Sequence, residues 1–222
     1  MNTQPSFHLA KQSRASLILS FLLFILAPLT TDAAPAKVAL VTDGTVARPV
    51  QHGLDKLKLA LQQKSGTATE ATSLQKADGD TVVVAGLAGG AGEAARLVAD
   101  LKLTLKSGPE SLLVRRFNRD GKTVVLAAGS DARGLMYALL DVADRVGRAK
   151  SAGQPFSEVR DVEESPFTPE RALSLYTFNR AYWESRFYDE AYWARYLDVL
   201  AQNRFNSLVV IFGYENGGFL AP

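Results

Sequence analysis

The chain contains no cysteine and only two histidines, two methionines and two tryptophans in its 222 residues. Without a thiol it can form neither a disulfide nor a thiolate metal site, although this absence does not decide the compartment. Of the histidines, His8 lies in the N-terminal leader. His52 sits on an amphipathic stretch with no histidine or carboxylate at ligand spacing, so it reads as a surface residue rather than a metal ligand. No cofactor is expected. Charge of one sign is also missing. The formal net charge is +2, and removing Lys11, Arg14 and Asp32 with residues 1–36 barely changes it. A near-neutral chain offers no electrostatic basis for binding nucleic acid or an anionic membrane surface. No segment after residue 36 is apolar enough to cross a bilayer, and there is no internal repeat or low-complexity tract.

What remains is ordinary for a globular protein: 47% hydrophobic and 22% charged residues, enough for one domain or two with a packed core. The N-terminus is distinctive. Lys11 and Arg14 precede the apolar run ASLILSFLLFILA, and small residues follow at Ala34-Pro35-Ala36. A basic region, an apolar region of this length and an A-x-A site describe a secretory signal peptide over residues 1–36. A membrane anchor is the competing reading, but the run is shorter than the ~20 residues that span a bilayer. The expectation is a secreted or periplasmic protein, with no membrane association after cleavage.

Beyond Lys37 the periodicity predicts an α/β domain over residues 37–149. KVALVT (37–42) and TVVVA (81–85) read as short buried strands. Val50, Leu54, Leu57 and Leu61 mark a helix over 48–63, and Ala95, Leu97, Val98 and Leu101 mark another over 92–101. A weak strand is expected near 70–74. Ser111–Asn118 and Lys122–Ala128 are joined by Arg119-Asp120-Gly121, a strong hairpin signal. A third helix is predicted over 131–146, capped by Ser130 or Asp131 and stopped by Gly147. Its Asp131, Arg133, Asp141, Asp144 and Arg145 read as a solvated, salt-bridged face. Residues 150–170 read as a linker, with an acidic connector at 158–164 and with Pro166 and Pro169 fixing the backbone before the next strand.

From Arg171 onward the pattern is strand (RALSLYTF), polar-aromatic loop (NRAYWESRFYDE), helix (AYWARYLDVLAQNRF) and strand (SLVVIFGY). This is the opening of a parallel β/α array, whose strands are buried only when further units follow; a complete barrel takes roughly 250 residues. The predicted fold class is therefore α/β: an α+β accessory domain with a small mixed sheet and flanking helices, then over 171–222 the first β-α-β of an incomplete (β/α)8 TIM barrel. The chain is expected to be the front part of a larger enzyme, with its catalytic residues beyond Pro222, and inactive alone.

Three stretches could carry chemistry. Gly86-Leu-Ala-Gly89-Gly90-Ala-Gly92-Glu-Ala-Ala95 follows a strand and opens a helix, and Gly90-x-Gly92-x-x-Ala95 fits a degenerate dinucleotide fingerprint. The acid expected about 20 residues on for the ribose is missing, where Ser111-Leu112-Leu113 stands instead. A tight strand-to-helix turn, with the helix packed close to the sheet, is the simpler explanation of the glycines. The loop after RALSLYTF holds Asn179, Arg180, Tyr182, Trp183, Glu184, Arg186 and Tyr188. Loops at the C-terminal ends of barrel strands line the substrate mouth, and aromatic faces can stack on sugar C–H surfaces. The same rings could instead pack under the loop. The last stretch offers Glu215, a carboxylate near the same mouth. Glycosidic chemistry needs two carboxyl groups about 5–10 Å apart, which a lone Glu215 does not supply.

With these residues in view, GPESLLVRRFNRDGKTVVLAAGSDARGLMYALLDVADRV resembles the end of the non-catalytic domain that precedes the barrel in bacterial β-N-acetylhexosaminidases (glycoside hydrolase family 20) and in α-glucuronidases. The matching positions are Gly108, Pro109, Glu110, Asp120, Gly121, Gly134, Leu135, Tyr137 and Leu140. The barrel opening is similar through Arg171 and through Arg204-Phe205-Asn206. It departs where Val210-Ile211-Phe212-Gly213-Tyr214 replaces a His-Trp-His type run, and where Ala172 follows Arg171. The resemblance implies a secreted glycosidase with a carbohydrate substrate. It implies Arg171 as a sugar contact, with a salt bridge to Glu163, Glu164 or Glu170 as the alternative. It also implies a carboxylic acid that protonates the leaving oxygen, while a second carboxylate or the substrate's acetamido group attacks the anomeric carbon. The expected substrate-side residues are Arg171, implied by the resemblance, and Asn179, Trp183 and Glu215, from their positions in the loops after the two strands. A non-enzymatic exported carbohydrate-binding or interaction module is the alternative.

Overall fold

A computed structural model describes residues 36–43, 46–64 and 66–212. Eight strands and five helices alternate within them. The first sheet runs β2-β1-β3-β5-β4-β6. Its strands are β1 (Lys37–Thr42), β2 (Thr67–Ala71), β3 (Thr81–Leu87), β4 (Leu112–Arg119), β5 (Lys122–Gly129) and β6 (Val162–Glu164). The four strands β2, β1, β3 and β5 are mutually parallel, and β4 is antiparallel to both of its neighbours. This is a mixed α/β fold.

Alternation along the strands sends side chains to two separate cores. Val38, Leu40, Val83, Ala85, Val125 and Ala127 point toward α1 (Arg48–Gln63) and α3 (Ala132–Arg148). Ala39, Val41, Val82, Val84, Val124 and Leu126 point toward α2 (Glu93–Asp100). Strands buried on both faces read as unbroken apolar runs, which is why TVVVA and KVALVT are conspicuous. The β4–β5 hairpin turns on Asp120 and Gly121, both at positive φ (52° and 77°). That pair of left-handed residues is what a two-residue type I′ turn demands. Gly134, near the start of α3, lets the helix approach β4 so closely that a Cβ would overlap the Ser111 carbonyl oxygen.

The structure corrects several expectations. The weak strand lies at Thr67–Ala71, not 70–74, because it pairs in register with β1 (Lys37 opposite Thr67). Leu74 is buried in the turn that follows. Gly147 does not stop α3, which continues to Arg148 and ends at Ala149. The acidic connector within 150–170 is not merely a connector, since Val162–Glu164 forms β6, at the edge of the first sheet, beside β4. Phe156, Val159 and Val162 enter the core behind it, and Arg115 of β4 meets Glu163 at 3.3 Å. Charge hid that strand: the carboxylates that made it look solvated are the partners of arginines, Arg115 of β4 among them. His52 does have a carboxylate neighbour, Asp198 at 3.3 Å, which arrives from a distant helix.

The second sheet has two parallel strands, β7 (Ala172–Tyr176) and β8 (Ser207–Ile211), with Ala172 opposite Ser207 and Tyr176 opposite Ile211. Between them lie the one-turn α4 (Arg180–Trp183) and α5 (Glu190–Gln202). Asp189 caps α5 by accepting from the Tyr192 N–H at 3.0 Å. Ala172, Ser174 and Tyr176 are exposed while Leu173 and Leu175 are half-buried, so one face of this sheet is open.

Candidate functional site

The glycine-rich segment ends up beside a carboxylate. A cleft of about 180 Å³ lies at the C-terminal ends of β1 and β3, lined by Asp43, Val50, Gly86, Gly90, Gly92 and Leu135 among others. Since β2 and β3 flank β1 on opposite sides, this is the switch point where open α/β sheets bind ligands. The position a phosphate would take is filled from within the chain. Asp43 Oδ1 accepts from the Glu93 N–H at 2.9 Å and caps α2. A Cβ on either Gly86 or Gly92 would collide with that carboxylate. Its Oδ2 is buried and has no hydrogen-bond partner. The glycines therefore make room for an internal acid at a helix N-terminus, which repels a pyrophosphate instead of receiving it.

The mouth of the second sheet carries the aromatic candidates. Asn179 Oδ1 accepts from the Tyr182 N–H at 3.1 Å and so caps α4. Trp183 is buried; its Nε1 donates to the Tyr176 carbonyl at 3.2 Å and its ring stacks on Trp193, with centroids 6.0 Å apart. Both residues thus build the loop on which other side chains stand. The exposed rings are Tyr176 and Phe178, with centroids 5.4 Å apart, together with Tyr182, Tyr188 and Phe212. The Arg186 guanidinium lies 4.1 Å from the Tyr182 ring centroid, a cation–π pair. Glu184 is exposed, 3.9 Å from Arg180. Tyr176 and Phe178 escaped the sequence reading. The signal was present: Tyr176 is the last residue of a strand whose alternate positions face the open side. Glu215 lies outside the described residues.

Arg171 stands at the opposite, N-terminal end of β7, and its partner is Glu110, not Glu163, Glu164 or Glu170. Its Nη2 donates to Glu110 Oε2, its Nε to the Arg204 carbonyl at 2.6 Å and its Nη1 to the Thr168 carbonyl at 2.9 Å. Asn206, at the start of β8, donates from Nδ2 to Glu110 Oε1 at 3.2 Å, and its Oδ1 accepts from the Arg171 N–H at 2.8 Å. Arg133 of α3 reaches Glu110 Oε1 at 3.0 Å. Burial alone would push the Glu110 carboxyl up, but the hydrogen bonds from Arg171, Arg133 and Asn206 more than offset it and hold the group below the usual carboxylate range. Burial also pushes the neighbouring Tyr137 phenol up, and the charge of Glu110 adds to that shift. No group of three or more potential metal ligands exists among the described residues. No described helix is long and apolar enough to cross a membrane.

These elements define a mixed α/β fold with a second, two-stranded parallel sheet. Among solved structures the chain is similar to a GH138 enzyme targeting pectin rhamnogalacturonan II, with a TM-score of 0.55 and 17% identity. The match covers 80% of this chain and 19% of that one, so the chain spans about a fifth of its neighbour's length. No protein-family model matches the sequence, and no curated protein does either.

Proposed function

We propose that the chain is the accessory domain and first barrel strands of an exported glycoside hydrolase. In this reading residues 1–36 are a signal peptide, 37–149 the accessory domain, 150–170 the connection, and 171–222 the opening of a (β/α)8 catalytic barrel. The observation that carries the reading is β7-α5-β8, a parallel unit placed after the accessory sheet with one face open. Parallel strands are normally covered on both faces, and further β/α units are what would cover this one. The likeness to a glycoside hydrolase fold supports the class. Support for the kinship with family 20 and the α-glucuronidases comes from Glu110, Arg171 and Asn206, which carry that resemblance and meet in one cluster.

The substrate is a carbohydrate, and a pectic oligosaccharide is the first to test in view of the neighbour's target. Tyr176, Phe178 and Tyr182 offer stacking faces at the C-terminal ends of the strands, where barrel enzymes bind substrate. Asn179 and Trp183 hold the loop that presents them. Arg171 holds the opposite end of β7, and Glu215 stands after β8 as a candidate sugar contact. The acid that protonates the leaving oxygen is expected from later strands.

The test has two parts. The reading frame past Pro222 is sequenced, and both the 222-residue chain and the longer product are assayed on aryl glycosides and pectic oligosaccharides. The longer protein should hydrolyse a glycosidic bond and the short one should not. Turnover by the short chain that Glu215→Gln abolishes, or a frame without further β/α units, would overturn the proposal. Saccharide binding without hydrolysis by any longer product would favour an exported binding module instead.

A further inference from the structure

We infer that Glu110 and Arg171 form a latch that couples the folding of the β7–β8 sheet to the accessory sheet, however the second sheet is completed.

Glu110 lies just before β4, while Arg171 and Asn206 immediately precede β7 and β8. One carboxylate therefore engages the leading ends of both strands of the second sheet. Both of its oxygens are used: Oε2 by Arg171, and Oε1 by Arg133 and Asn206. Its side chain is only 8% exposed and that of Arg171 18%, so these are charges removed from water. Removing one partner of a buried pair leaves the other uncompensated, which is a far larger effect than losing a surface ion pair.

The backbone supports the same reading. Glu110 and Arg204 both have positive φ, 59° and 62°, a conformation unfavourable for side chains of their kind. Both touch the Arg171 guanidinium, one through its carboxylate and the other through its carbonyl oxygen. Left-handed non-glycine residues persist where their surroundings over-determine them, and here the shared contact is Arg171. A two-stranded sheet has little stability alone, so the ion pair and its hydrogen bonds are well placed to hold it in register.

Hydrogen–deuterium exchange of the full 222-residue chain at neutral pH tests this. Glu110→Gln and Arg171→Met should each speed exchange at residues 172–176 and 207–211 by about tenfold or more, with β1, β3 and β5 little changed. Combining the two should add nothing beyond the larger single effect, because both break one unit. Arg171→Lys keeps the charge but loses the planar fork, and should fall between wild type and Arg171→Met. Arg133→Met removes a partner whose side chain is 56% exposed, and should change exchange less than about threefold. The inference fails if wild-type β7 and β8 are unprotected, if Arg171→Met leaves their exchange unchanged, if the two effects add, or if the accessory sheet loses protection equally.

Discussion

A single substitution made at two sites of α3 should shift stability in opposite directions. At Gly147 an added Cβ meets no atom within 4 Å, and the residue lies in the last turn of the helix. Alanine there gains helix propensity and nothing opposes it, a stabilisation of roughly 0.5–1 kcal/mol. At Gly134 the same methyl group would overlap the Ser111 carbonyl oxygen and lie 3.1 Å from the Glu110 carbonyl carbon. Those are backbone atoms at the start of β4, which cannot rotate away as a side-chain end would. Overpacking of this kind costs about 1–3 kcal/mol, and the rigid neighbour puts it at the upper end. Setting the propensity gain of about 1 kcal/mol against it leaves a net loss near 2 kcal/mol. For a chain of this size each kcal/mol moves Tm by about 2–4 °C. Thermal unfolding followed by far-UV circular dichroism should therefore show Gly147→Ala rising by about 1–4 °C and Gly134→Ala falling by about 4–8 °C. Shifts of the same sign, or a neutral Gly134→Ala, would refute the close helix–strand approach on which the packing of α3 rests.

Two further outcomes are expected. Asp43→Ala removes the external cap of α2 and should cost about 1 kcal/mol in urea unfolding; tight NAD binding by the wild type in a titration would contradict the account of Gly86 and Gly92. Glu110 has a depressed folded-state pKa, so its contribution is fully present above the unfolded value, near 4.5, and is lost as pH falls through the folded one. Arg171, Arg133, Tyr137, Asp131 and Asn206 face it, with Glu164 and Arg204 lining the same crevice. Protection at 172–176, corrected for the intrinsic exchange rate at each pH, should therefore be lost in the wild type as pH falls below the unfolded value and through the lower folded one, but should not change in this way in Glu110→Gln; identical corrected pH profiles would contradict this.

The first sheet was legible in the sequence where one pattern governed it. Val82, Val83 and Val84 are buried whichever face they take, and Asp120-Gly121 specifies its own turn. The edges were harder, because β2 and β6 are short, polar strands defined by what they pair with. Thr67–Ala71 has little apolar content of its own, and Val162–Glu164 is disguised by two carboxylates. The candidate site was legible only in outline. The loop after β7 does carry exposed rings, but burial sorts them differently from residue type. Trp183, the largest, turns inward to donate to the Tyr176 carbonyl, while Tyr176 and Phe178 remain outside. Nothing in spacing could reveal that Glu110 and Arg171 meet. They stand 61 positions apart, and the left-handed backbone that aims Glu110 leaves no mark in composition.

The two sheets also differ in what holds them. Val82, Val84, Leu113 and Leu126 are completely buried or nearly so, and the first sheet has helices on both faces. In the second, Tyr176 and Val209 are 57% and 43% exposed, and Phe178 beyond the strand is 56% exposed. Apolar burial contributes about 25 cal/mol per Å², so the first sheet has a stability of its own that the second cannot match from its visible contacts. Its order must then come from elsewhere. The ionic contact at its N-terminal end is one source and cover on its open face is the other. The two make different demands. If the latch suffices, Arg171→Met alone should free β7 and β8 in the 222-residue chain. If cover dominates, the same substitution should matter less in a longer product whose further strands close that face. Comparing the exchange of Arg171→Met in both lengths separates the two contributions.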